Sequence, residues 1–166
     1  MKKKAIFLDR DGVLNNEKDN YYVFRVEDFF LNDGIGETLK VLSNQGFIFI
    51  VITNQGGIAK RLYSSNDVEA VHNKLYSLLK SYNVRIEEIY YCPHHSDVGN
   101  CLCRKPKNLN IEKAIARFNI DRDKSWFVGD RESDIEAGKL SGLKTIKVTA
   151  NEDMSYLREI IRKRTV

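Results

Sequence analysis

Lys4-Ala5-Ile6-Phe7-Leu8-Asp9-Arg10-Asp11-Gly12 runs from apolar residues straight into two carboxylates and a glycine. Lys4 to Leu8 lacks polar alternation, the pattern of a strand buried on both faces of a parallel sheet. Phe47 to Ile52, six continuous apolar residues bounded by Gly46 and Thr53-Asn54, reads the same way. Between these strands Ile35, Leu39 and Leu42 recur at helical spacing. Val68, Val71, Leu75, Leu78, Leu79 and Tyr82 step by three and four, with Asn66 and Glu69 as a capping pair at the start. His72 falls on the polar side of that helix and reads as a surface residue. Ile86 to Tyr91, Trp126 to Val128 and Thr145 to Val148 read as further strands. Ile111 to Phe118, Ser133 to Leu140 and Leu157 to Ile161 read as helices. The alternation predicts one α/β domain over residues 1–166, a doubly wound, mostly parallel sheet with helices on both faces. Ligands of such sheets bind beyond the carboxyl ends of the strands.

Composition narrows the classes. Hydrophobic residues make up 42% and charged residues 30%, which excludes disorder. No apolar run approaches the roughly 18 residues of a membrane helix. Ala5 to Leu8 is too short for a signal peptide's apolar region of about 7 to 15 residues, so a cytoplasmic location is expected. The 27 basic and 23 acidic residues give a net charge of +4, and no aromatic-basic stripe is present, which offers little to nucleic acid. Three cysteines cannot make a complete disulfide framework, and all three lie between Cys92 and Cys103, which favours a metal.

Five polar clusters follow predicted strands or lie between elements. Asp9 and Asp11, two positions apart, suit one hard cation or a nucleophile and an acid/base; an acidic turn closed by Gly12 is the alternative. Thr53-Asn54-Gln55-Gly56-Gly57 offers hydroxyl, amide and backbone donors to phosphate oxygens, or a plain capped turn. Arg104-Lys105-Pro106 places a guanidinium fork beside a point charge, or a solvated basic pair. Gly129-Asp130-Arg131-Glu132-Ser133-Asp134 puts Asp130 at a strand end and Asp134 four residues on, where a helix N-terminus also favours acids. Cys92-Pro93-His94, six residues, then Cys101-Leu102-Cys103 supplies three thiolates and an imidazole. That is a full tetrahedral set for structural zinc with no position open for water; His95 is a competing imidazole.

Taken in order, Phe7-Leu8-Asp9-Arg10-Asp11-Gly12-Val13, Ile52-Thr53-Asn54-Gln55, Lys105-Pro106 and Val128-Gly129-Asp130 with Asp134 resemble the four motifs of the haloacid dehalogenase superfamily of phosphatases. The Cys92 to Pro106 stretch is similar to its zinc-loop branch. The resemblance covers essentially the whole chain. It implies Asp9 as nucleophile, Asp11 as acid and then base, and Mg²⁺ on Asp9, the Asp11 carbonyl and Asp130, with Asp134 in support. It implies Thr53, Asn54, Gln55, Gly56 and Lys105 around the phosphoryl group, Arg104 and Arg131 on the rest of the substrate, and Zn²⁺ on Cys92, His94, Cys101 and Cys103. The implied substrate is a small phosphorylated sugar; neither nucleic acid nor membrane is expected as a partner, and the protein is expected to be a monomer. It is the C7 phosphate of D-glycero-D-manno-heptose 1,7-bisphosphate, in lipopolysaccharide precursor synthesis, with histidinol phosphate as the alternative. A nucleic-acid 3′-phosphatase and a receiver-type phosphate acceptor are further alternatives. The alternating core uses nearly all of the chain, so no separate cap domain is expected. Asn15 to Asn32 and the Cys92 to Lys105 loop are left to shape the entrance, with zinc stiffening the loop and aiming Arg104 inward.

Overall fold

The computed structural model describes residues 1–164. Five strands, β1 (Lys4–Leu8), β2 (Phe47–Asn54), β3 (Ile86–Cys92), β4 (Trp126–Gly129) and β5 (Lys144–Lys147), form one sheet in the order β3-β2-β1-β4-β5. Every neighbouring pair is parallel. The long helices are α1 (Ile35–Asn44), α2 (Ser65–Lys80), α3 (Leu109–Phe118), α4 (Glu132–Leu140) and α5 (Leu157–Lys163). None of the described helices is long and apolar enough to cross a membrane.

Strand alternation divides the core in two. Ile6, Leu8, Phe49, Val51, Trp126 and Val128 point to the face covered by α1, α2 and α5. Ala5, Phe7, Ile50, Ile52 and Phe127 point to the other face, against Ile111, Ala114 and Ile115 of α3 and Ala137 of α4. The sheet is therefore covered on both sides, as the unalternated apolar runs demand. Burial of each large side chain contributes about 1.5–3 kcal/mol, so most of the fold's stability resides in these two layers.

Three local expectations are corrected. The α2 cap is Ser64 with Asp67, not Asn66 with Glu69: the Asp67 amide donates to Ser64 Oγ at 3.3 Å and the Ser64 amide donates to Asp67 Oδ2 at 2.8 Å. His72 is 6% exposed and belongs to the interior face of α2, beside Val71 and Leu75. β5 begins one residue early and Val148 lies beyond it, buried.

The chain runs outward from β1 through β2 to β3, then returns to the other side of β1 for β4 and β5. The reversal puts a crevice beyond the carboxyl ends of β1 and β4, where a doubly wound sheet binds ligands. Asp9 follows β1 and Asp130 follows β4 directly, and the Asp9 amide donates to the Val128 carbonyl at 3.0 Å, locking the two strand ends together.

Candidate active site and zinc loop

Asp9, Asp130 and Asp134 each offer a carboxylate oxygen within 4.8 Å of the others. Lys105 stands among them, 3% exposed. Its Nζ lies 2.8 Å from Asp9 Oδ1 and 2.7 Å from Asp134 Oδ1, and it donates to the Ile52 carbonyl at 2.7 Å. Two carboxylates and a carbonyl thus surround the ammonium. Asn54 fixes the lysine's backbone: its Oδ1 accepts from the Lys105 amide at 3.0 Å and its Nδ2 donates to the Lys105 carbonyl at 3.2 Å. Asp134 is fully buried, and its Oδ2 accepts from the Arg131 amide at 3.0 Å, so one side chain starts α4 and orients the lysine.

Electrostatics follow from that crowding. Burial, then the charge of Asp134, push the Asp9 carboxyl up to about 8, against the pull of Lys105. Burial and Asp134 also raise Asp130. Burial opposes the Lys105 ammonium, yet Asp134 and Asp9 outweigh it and keep its pKa above the ordinary value. Asp130 Oδ1 is buried and without a hydrogen-bond partner. A buried, unsatisfied carboxylate oxygen beside two more carboxylates and a single ammonium fits a hard divalent cation with oxygen ligands.

Asp11 turns away from this trio. Its Oδ1 accepts from Asn15 Nδ2 at 3.0 Å and its Oδ2 from Gln55 Nε2 at 3.0 Å, while the Arg10 guanidinium donates to both oxygens. Gln55, expected on the substrate, is 2% exposed and stands behind the site: it donates to Thr53 Oγ1 at 2.9 Å and accepts from Tyr63 Oη at 2.8 Å. The Thr53 hydroxyl, an acceptor there, keeps its own proton for the cleft it lines. Gly12 turns the chain after Asp11 at φ +83°, and a side chain there would meet Asp130 Oδ2 at 3.0 Å.

The cleft holds about 200 Å³, with Asp9, Asp11 and Lys105 at its base and Tyr21, Tyr22 and Arg104 among its walls. Both segments expected at the entrance reach it. Arg131 closes one rim, 3.3 Å from Glu17 Oε1 and 3.7 Å from Asp130 Oδ2, with Tyr21 under its guanidinium. Glu17 and Asp130 hold the Arg131 pKa above its ordinary value despite burial, and burial raises Glu17.

The Cys92, His94, Cys101 and Cys103 ligand atoms also gather within 4.8 Å. Cys92 Sγ lies 3.6 Å from Cys101 Sγ and 3.1 Å from Cys103 Sγ, and His94 Nδ1 lies 3.6 Å from Cys92 Sγ and 3.4 Å from Cys103 Sγ. Tetrahedral zinc at its usual bond lengths separates ligand atoms by about 3.5–3.8 Å, so this set is compatible with a structural zinc. His95 is no competitor: its Nδ1 accepts from the Asp97 amide at 3.1 Å. Arg104 Nη1 donates to the His94 carbonyl at 3.1 Å, tying the rim arginine to this cluster. Gly56 lets this loop approach β2's end, since a Cβ there would meet His95 Cδ2 at 2.8 Å.

Strand-end carboxylate, acid two residues on, hydroxyl and buried lysine together define a phosphatase of the haloacid dehalogenase type. The chain belongs to the polynucleotide kinase 3 phosphatase family, whose profile matches residues 4–157. It is 40% identical over 151 residues to a D-glycero-beta-D-manno-heptose-1,7-bisphosphate 7-phosphatase of Haemophilus ducreyi, covering 87% of this chain and 82% of that one. It is 37% identical over 153 residues to the corresponding alpha-anomer enzyme of Campylobacter jejuni, covering 92% and 86%. The crystal structure of a D,D-heptose 1,7-bisphosphate phosphatase from B. bronchiseptica, complexed with magnesium and phosphate, superposes with a TM-score of 0.82 at 28% identity, covering 94% of this chain and 86% of that one.

Proposed function

We propose that this chain removes the C7 phosphate of a D-glycero-D-manno-heptose 1,7-bisphosphate through an aspartyl-phosphate, acting as a monomer. The observation that carries the reading is Asp9, buried at the β1 end with its Oδ1 held by Lys105 and by the Arg10 amide at 2.8 Å, facing a cleft that Asp11 enters from the other side. Asp9, Asp130 and the Asp11 carbonyl would hold Mg²⁺, with Asp134 in support. When bound, the ion offsets the repulsion between an attacking carboxylate and a phosphoryl group and favours the ionised form of Asp9.

Asp9 attacks phosphorus as the bond to the sugar C7 oxygen breaks, and Asp11 gives its proton to that oxygen. As Asp9 becomes an acyl phosphate its oxygen loses basicity, and the Lys105 proton it held becomes available to the phosphoryl oxygens beside the Thr53 hydroxyl. Asp11 then takes a proton from water, whose oxygen attacks phosphorus and frees Asp9. Arg104 and Arg131 at the rim suit the second, C1 phosphate, which a fork binds in two places.

The test is phosphate release with Mg²⁺ from heptose 1,7-bisphosphate, histidinol phosphate and a 3′-phosphorylated oligonucleotide in parallel. A large kcat/KM advantage for the bisphosphate is expected. Preference for either other ester overturns the substrate, and turnover by Asp9→Asn overturns the nucleophile.

A further inference from the structure

Arg10 is the largest of the fully buried side chains, at 0% exposure, inside an α/β core. A guanidinium taken from water is costly unless each donor is engaged. Its Nε lies 3.1 Å from Asp11 Oδ1, and its Nη2 lies 3.0 Å from each Asp11 oxygen and 2.6 Å from the Val23 carbonyl. Its Nη1 faces His72 Nε2 at 3.4 Å. Burial, followed by the Arg10 charge, pushes His72 down to about 3, so the ring is neutral and can accept that contact. A buried arginine kept only for the fold could pair with any carboxylate. This one folds back onto its own neighbour in the chain, a carboxylate whose side chain is 16% exposed and lines the cleft.

We infer that Arg10, braced by His72 and the Val23 carbonyl, is a positioning residue that sets the Asp11 carboxyl at the angle needed for proton transfer. Gln55 is the opposing wall of the same clamp. Its amide presents Nε2 to Asp11 because Tyr63 Oη occupies its oxygen. With donors on both oxygens the carboxyl has one rotamer, and orientation of that kind is what proton transfer to a developing alkoxide requires. Arg10 touches no reacting atom; it acts through Asp11.

The inference rests on the aspartyl-phosphate reading above, and the two can fail separately. An alkyl phosphate must receive the Asp11 proton as its C–O–P bond breaks. p-Nitrophenyl phosphate expels a stable phenolate without that proton, yet the phosphoryl-Asp9 it leaves still needs Asp11 to deprotonate the attacking water. Misplacing Asp11 therefore slows both steps for the alkyl ester and only the second for the aryl ester. For Arg10→Met, kcat on heptose bisphosphate should fall by about 10² or more, the lower range of what a general acid–base contributes. With p-nitrophenyl phosphate the same variant should release a rapid burst of nitrophenolate, stoichiometric with Asp9, followed by slow turnover. Arg10→Lys keeps the buried charge without the fork, and His72→Phe keeps the arginine but removes its brace. Both should show the same pattern more weakly, and they carry the test should Arg10→Met fail to fold. Rates on the two esters falling in proportion with no burst, or alkyl turnover at the wild-type rate, would overturn the inference. A wild-type protein inert toward both esters, or an active Asp9→Asn, would instead overturn the mechanism beneath it.

Discussion

The stability of the magnesium-free, zinc-loaded protein should fall as pH rises from 6.5 to 8, and Asp9 is the reason. Burial and Asp134 raise the native Asp9 carboxyl from 3.8 to about 8. Between those values the native state keeps a proton that the unfolded chain has released, so this group's contribution is complete below 3.8 and is lost as pH climbs toward 8. His72 acts in the opposite sense. Burial and Arg10 lower it from 6.5 to about 3, so over that window the unfolded chain binds a proton that the native ring refuses, and stability rises with pH. The two slopes cancel between about pH 4 and 6.5, which leaves Asp9 unopposed above. That interval is about 1.5 pH units at about 1.4 kcal/mol each, so the loss is about 2 kcal/mol. For a chain of this size it lowers Tm by roughly 4–8 °C. Asp130 and Glu17 are also raised, and each contributes with the same sign between its ordinary pKa and its raised one. Thermal melts across the range are the assay. Asp9→Asn should flatten the fall, as should saturating Mg²⁺, which binds the ionised carboxylates. A wild-type Tm that is level from 6.5 to 8, or an Asp9→Asn protein that falls as steeply, would refute the reasoning.

Lys105→Met should leave Asp134 as a buried carboxylate without its cation and cost about 3–5 kcal/mol in urea unfolding at pH 7, where Asp9 already carries its proton. Arg104→Ala should raise KM for the heptose bisphosphate by about 10–100-fold, one charge-assisted contact, while KM for p-nitrophenyl phosphate changes little. Cys103→Ser, or chelation of zinc, should release the loop that seats the Arg104 guanidinium on the His94 carbonyl. It should therefore reproduce the Arg104→Ala rise in KM, together with a lower Tm.

The sheet was legible because its strands are buried on both faces. Runs such as Phe47 to Ile52 have no polar face to confuse with a helix, and each ends at a polar residue. The cluster of Cys92, His94, Cys101 and Cys103 was legible because all four lie within one stretch, so their spacing in sequence is close to their spacing in space. Arg10, His72 and Tyr63 were not. Arg10 reads as one more charge in an acidic turn, and only the fold brings it to His72, 62 residues away. His72 sits one position from the apolar stripe of α2, and a helical wheel cannot tell which side of the stripe meets a neighbouring loop. Gln55 looked like a phosphate donor because it follows a strand end. Two residues beyond Thr53, its side chain instead lies on the same side of the chain and bonds the Thr53 hydroxyl, while Tyr63 supplies its other partner.

The topology also explains how a site of this kind works without an inserted cap domain among the described residues. A cap excludes water by closing over the cleft, whereas here exclusion has to come from fixed walls. Tyr22 packs edge-on against Tyr63 at 5.7 Å and Phe24 stacks on Tyr63 at 5.0 Å, so the segment before α1 is anchored to the one before α2. Tyr63 is also the residue that orients Gln55 toward Asp11. The same ring thus braces the entrance and one wall of the clamp proposed around Asp11. Tyr63→Phe would leave the packing and remove only the hydroxyl. It should loosen Asp11 without opening the cleft, lowering kcat on an alkyl phosphate while KM holds. A rise in KM with unchanged kcat would mean that the hydroxyl serves the wall and not the clamp.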